Sequence, residues 1–105
     1  MTSANDIFAK AAFNEGEVTV EAWADAPIRI RELSAKQAND VIKLVGNDDL
    51  RSNALAVAYG CITEDGKRLF ANKDVDKILD KLRVQDITNV AQAIMDLSRL
   101  EAEEK

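Results

Sequence analysis

Histidine is absent from this 105-residue chain; cysteine and proline each occur once, and glycine four times. Without histidine, Ser-His-Asp and Cys-His nucleophilic systems and histidine-bearing zinc sites are excluded. The lone thiol, Cys61, can form neither a CxxC redox pair nor a thiolate metal site, and it cannot close an internal disulfide. Its apolar surroundings make it read as a small buried hydrophobe. The glycines, at 16, 46, 60 and 66, never approach the spacing of a phosphate-cradling loop. Only five residues are aromatic, so any core must be mostly aliphatic. Long hydrophobic runs are missing too. The longest apolar stretch, residues 54–62, is far short of the roughly 18–20 residues that span a membrane. Met1 is followed by polar Thr2, Ser3 and Asn5 with no basic start, so the expectation is a cytoplasmic protein without a leader.

What is present fits a single soluble domain: 47% apolar and 31% charged residues. The net charge is −5, divided as −3 over residues 1–33, 0 over 34–72 and −2 over 73–105. No segment is basic. Attraction to nucleic acid or an anionic membrane is therefore unfavourable throughout, and a protein partner is expected instead. Carboxylates are the only remaining material for catalysis or metal binding. Asp74 and Asp76 would point about 200° apart on a helix and cannot share a metal. Asp76 and Asp80 share a face, but Lys73, Lys77 and Lys81 interleave with them, the pattern of a solvated mixed-charge surface; EF-hand spacing is missing. The same acids cancel the basic residues, Arg83 included, that a DNA-reading helix would need. The expectation is a binding protein, not an enzyme, with no cofactor and no metal.

Along the chain, residues 4–13 read as one or two helical turns with Phe8, Ala12 and Phe13 on one side, closed by Gly16 and loosely held. Residues 17–33 change to period two. Val18, Val20 and Ala22 alternate with polar residues, as do Ile28 and Ile30, around a connection at residues 23–27: a β-hairpin. In that register Ala22 faces Ile28, Val20 faces Ile30, Glu21 faces Arg29 and Thr19 faces Arg31. A lone hairpin is marginal in water, so its apolar face must pack on helices or on another chain.

Residues 34–100 read as helical. Ser34 and Gln37 form a capping box ahead of Ala38, Val41, Ile42 and Val45, and Gly46 stops the run. A second helix starts at Asn47–Asp48. Its latter half, ALAVAYGCI, is apolar almost all round, as befits the most buried helix. Glu64-Asp65-Gly66-Lys67 is a turn with Gly66 at positive φ. Asn72 caps a helix bearing Val75, Ile78, Leu79 and Leu82. Asp86 caps a last one with Ile87, Val90, Ala91, Ile94, Leu97 and Leu100 inward, ahead of a charged tail at 101–105. The fold class is mainly α (α+β): an N-terminal β-hairpin followed by about four helices around one aliphatic core, in one domain.

The Arg29–Arg31 pair has two readings. The plain one is a solvated strand face paired with Glu21. The functional one is a hairpin edge, with Trp23 at its corner, that accepts a partner segment by β-augmentation.

The order of these pieces, IFAKAAF, then a hairpin ending in IRIRELSAKQ, then GCITEDGKRLFANKDVDKIL, resembles the tail-assembly chaperones of long-tailed, lambda-like bacteriophages and prophages. The resemblance covers residues 7–100. Its most telling parts are Arg31-Glu32-Leu33-Ser34 and Glu64-Asp65-Gly66-Lys67-Arg68-Leu69-Phe70, architectural signatures and not chemical motifs. It implies a protein that binds the long, helical, aggregation-prone tape-measure protein in the bacterial host cytoplasm. The same resemblance implies that it keeps that partner soluble, helps recruit tail-tube subunits, and is absent from the mature virion. It also implies a longer frameshifted form whose extra domain contacts the tube protein; this chain resembles the short form. No binding residues carry over. From the residues themselves, Phe8, Phe13, Trp23, Ile28 and Ile30, with Arg29 and Arg31, are the candidate surface for the tape measure or for self-association. Two other readings stay open: a minor virion protein for head–tail joining or tail completion, and a small phage regulatory protein.

Overall fold

A computed structural model describes residues 2–98 of the chain. The expected α+β architecture is present, with a larger sheet than a hairpin. The order is α1 (Ala4–Lys10), β1 (Glu15–Val18), β2 (Ile28–Arg31), α2 (Ala35–Ile42), α3 (Asp49–Gly60), β3 (Cys61–Ile62), a 3-10 turn (Asn72–Asp74), α4 (Val75–Lys81) and α5 (Val84–Leu97). The strands form one antiparallel sheet in the order β1-β2-β3.

The hairpin register differs from the expected one. Glu15 faces Arg31, Gly16 faces Ile30, Glu17 faces Arg29 and Val18 faces Ile28. The first strand thus lies four residues earlier than the alternation indicated, and the connection covers residues 19–27. Asn14 fixes this alignment. Its carbonyl accepts from the Glu32 N–H at 2.8 Å, its own N–H donates to the Glu32 carboxylate at 3.1 Å, and its side-chain amide donates to the Leu97 carbonyl at 2.8 Å. Gly16 does not close α1 but sits inside β1, where an added Cβ would lie 3.3 Å from Leu97 Cδ2. Glu21 and Ala22, read as strand, form a turn with Trp23, in which the Trp23 and Ala24 N–H groups both donate to the Val20 carbonyl. A slip of four residues preserves which side chains face inward; a slip of one would have reversed them. Ile28 and Ile30 therefore still point to the core, at 8% and 2% exposure.

Cys61 and Ile62 leave α3 and become the third strand, pairing with Ile30 and Arg29. The chain then folds back through a turn in which Gly66 holds φ +85°, and the Leu69 N–H donates to the Cys61 carbonyl at 3.0 Å. Arg68 reaches over this turn. Its guanidinium donates twice to the Ala58 carbonyl, at 3.0 and 3.2 Å, and lies 4.9 Å from the Tyr59 ring centroid. A cation thus sits on the carbonyl end of α3, where the helix dipole favours it.

Helix α3 is the centre of the core, packed by α5, α2 and α4. Ala54, Val57 and Ala58 have no exposed surface. Gly60 lets α5 approach: an added Cβ would lie 2.5 Å from Ile94 Cδ1. Ser52 is buried, and its hydroxyl donates to the Val41 carbonyl at 2.9 Å, satisfying the end of α2. The Ser34–Gln37 capping box forms as expected, with both reciprocal bonds present.

Two helix starts are displaced. Ala71, not Asn72, precedes the 3-10 turn, with the Asp74 carboxylate accepting its N–H at 2.9 Å. Helix α5 begins at Val84, two residues before Asp86, which lies in its first turn and not at its cap. The inward stripe of α5 is the expected one through Leu97; Leu100 and the tail at 101–105 lie outside the described residues.

Candidate interaction surfaces

The seven candidate residues do not form one surface. Phe8 is 73% exposed and Phe13 49%, and Ile7 joins them at 58%. No residue of α1 is buried. This short helix is held by its own capping box, in which the Ser3 hydroxyl accepts the Asp6 N–H and the Asp6 carboxylate accepts the Ser3 N–H. Its apolar side chains are open to a partner.

Ile28 and Ile30 belong to the core and not to the surface, because β2 is the middle strand and its inner face lies on the helices. Trp23 is half-buried against that core, and its Nε1 has no hydrogen-bond partner among the described residues. Arg29 is committed to its neighbours: it pairs with Glu15 and donates to the Glu64 carbonyl. The expected Glu21–Arg29 and Thr19–Arg31 pairs are replaced because the register moved. Arg31 extends toward the Gly66 carbonyl at 3.4 Å. The two segments that carry the family resemblance thus meet, β2 gripping the turn through both arginines.

Ile42 and Val45, which follow Ala38 and Val41 at helical spacing in the sequence, are 59% and 60% exposed. Ile42 lies within α2 on its open side, and for Val45 the physical reason is the early end of that helix. Beyond Ile42 the chain winds into tighter turns, with Leu44 N–H to the Val41 carbonyl and Val45 N–H to the Ile42 carbonyl, so helical phase is lost. No signal short of the boundary itself would have found this.

Two of the open grooves among the described residues lie beside α4 and α5. One, of 580 Å³, lies between residues 18–22 and the start of α5, lined by Arg83, Asp86, Asn89 and Glu21 among others. The other, of 330 Å³, lies along α4, with Phe70, Ile78 and Leu82 as its apolar wall and Asp74, Lys77 and Lys81 around it. No group of three or more metal-ligating side chains occurs among the described residues. Cys61 lies in the core, where burial pushes its thiol up to about 12, so it stays protonated and unreactive at neutral pH. Tyr59 is also raised, first by burial and then by its hydrogen bond to Asp40 at 2.8 Å. No helix among the described residues is long and apolar enough to cross a membrane.

What these residues define is an α+β domain with Ile7, Phe8 and Phe13 exposed at its N-terminal end and with Arg29, Arg31 and Arg68 engaged in its own architecture. The same architecture occurs in the bacteriophage HK97 tail assembly chaperone, which superimposes with a TM-score of 0.70 over 89% of this chain and 91% of that one, at 16% sequence identity. No family model and no curated protein matches the sequence.

Proposed function

We propose that this protein is a non-catalytic tail-assembly chaperone that binds the tape-measure protein of a long-tailed phage or prophage, keeps it soluble in the bacterial cytoplasm and promotes tail-tube assembly around it. The observation that carries this reading is the shared fold with the HK97 tail assembly chaperone across nine-tenths of both chains. The exposed Ile7, Phe8 and Phe13 support it, because a helical, aggregation-prone client is held through apolar contacts of this kind. A frameshifted longer form would add the contact to tube subunits, and the chaperone would leave before the virion is complete.

The direct test is co-expression with the tape-measure protein of the same genome. The expected result is a soluble tape measure only when this chain is present, together with its absence from purified particles by mass spectrometry. Stoichiometric presence in the particle would instead favour a head–tail joining or tail-completion role.

A further inference from the structure

The groove along α4 has an uncommon combination for a chain of net charge −5. Its wall is apolar: half-buried Phe70 from the preceding loop and half-buried Leu82, which ends α4, flank the buried Ile78. Its rim is cationic. Lys77 and Lys81, four apart, both line it, and Lys73 precedes them by a further turn. The neighbouring acids offset this rim only in part. Asp76 is drawn away to Arg51, at 2.7 Å. Asp74, whose carboxylate accepts the Ala71 N–H, does line the groove and keeps its negative charge there, so the lining carries two cations to one anion. Lys77 has no ion-pair partner among the described residues. Lys81 has only Asp80, at 3.8 Å with both side chains largely exposed, a contact of little worth.

We propose that this groove docks an amphipathic helix of a partner protein whose apolar ridge is flanked by glutamates or aspartates. The ridge would lie between Phe70 and Leu82, over Ile78 at the floor, and its carboxylates would meet Lys77 and Lys81. Charge complementarity chooses the partner's sign, and the apolar wall distinguishes a peptide from a nucleic acid, which would need stacking platforms and a basic surface. The groove lies on α4, not on the N-terminal helix, and its occupancy does not depend on the tail-assembly reading.

The test uses the full-length protein, labelled for NMR, and two helix-forming peptides of about 16 residues, long enough to hold a helix. Both carry the same leucine ridge; one is flanked by glutamates and the other by lysines. The glutamate peptide is expected to shift amides of residues 70–82 and to bind about tenfold more tightly than the lysine peptide, the equivalent of about 1.4 kcal/mol. Added salt should narrow the gap. In a Lys77→Glu/Lys81→Glu variant, whose exposed positions leave the fold intact by thermal melt, the preference should reverse. Equal binding of the two peptides, shifts confined to other surfaces, or a single-stranded DNA probe that occupies the groove more tightly than the glutamate peptide would each overturn the proposal.

Discussion

Helices α1 and α3 are both rich in apolar residues, yet they put them to opposite uses. In α3, Ala54, Val57 and Ala58 are fully buried beneath α5, and Gly60 lets the two helices close to within a methyl group's reach of Ile94. In α1, Ile7 and Phe8 are 58% and 73% exposed, and nothing in the helix is buried. One region converts apolar surface into stability; the other leaves it open. A helix of seven residues is too short to persist on propensity alone, and the capping box of Ser3 and Asp6 gives it local support where packing gives none.

Substitutions in the two regions sharpen this contrast, in descending order of effect. Ile94→Ala removes a fully buried side chain between α5 and α3 and should cost about 2–5 kcal/mol in urea unfolding. Gly60→Ala places a Cβ 2.5 Å from Ile94 Cδ1, and overpacking of this kind costs about 1–3 kcal/mol. Combining it with Ile94→Ala should cost less than the two changes summed, because alanine removes Cδ1, Cγ2 and Cγ1, the three atoms that the new methyl would meet at 2.5, 2.6 and 2.9 Å; strict additivity would mean that the two helices are not in such contact. Ser34→Ala deletes one half of the α2 capping box and should cost about 1 kcal/mol. Ile7→Ser with Phe8→Ser should change stability by no more than about 0.5 kcal/mol, as surface substitutions do, while weakening capture of the tape measure. A large loss of thermal stability in that last variant would show that α1 is docked and would erase the distinction between the regions.

The same contrast explains what was legible in the sequence. Capping at Ser34, the stripe of α5 and the positive φ of Gly66 are local, and each was read from residues within a turn of one another. The β1 register was not local. It depends on Asn14 bonding across to Glu32 and Leu97, contacts between residues far apart in the chain. Strand β3 was hidden for a similar reason. Cys61 and Ile62 continue the apolar run of α3, and only the middle strand they pair with distinguishes strand from helix there. Of the candidate surface, Phe8 and Phe13 lie open, whereas Ile28 and Ile30 are core residues because their strand is central. A polar replacement of Ile30 would therefore test folding and not binding. The α4 groove escaped notice because its lysines and acids cancel in one dimension. They separate only in space, where Asp76 turns to Arg51 and Lys77 and Lys81 turn to the groove.

The most direct measurement of the central claim is the solubility of the tape-measure protein expressed with this chain or with its Ile7→Ser/Phe8→Ser variant. A soluble complex with the natural chain and an insoluble tape measure with the variant, both chaperones being equally folded, is the predicted result. A tape measure equally insoluble with and without the natural chain would contradict it.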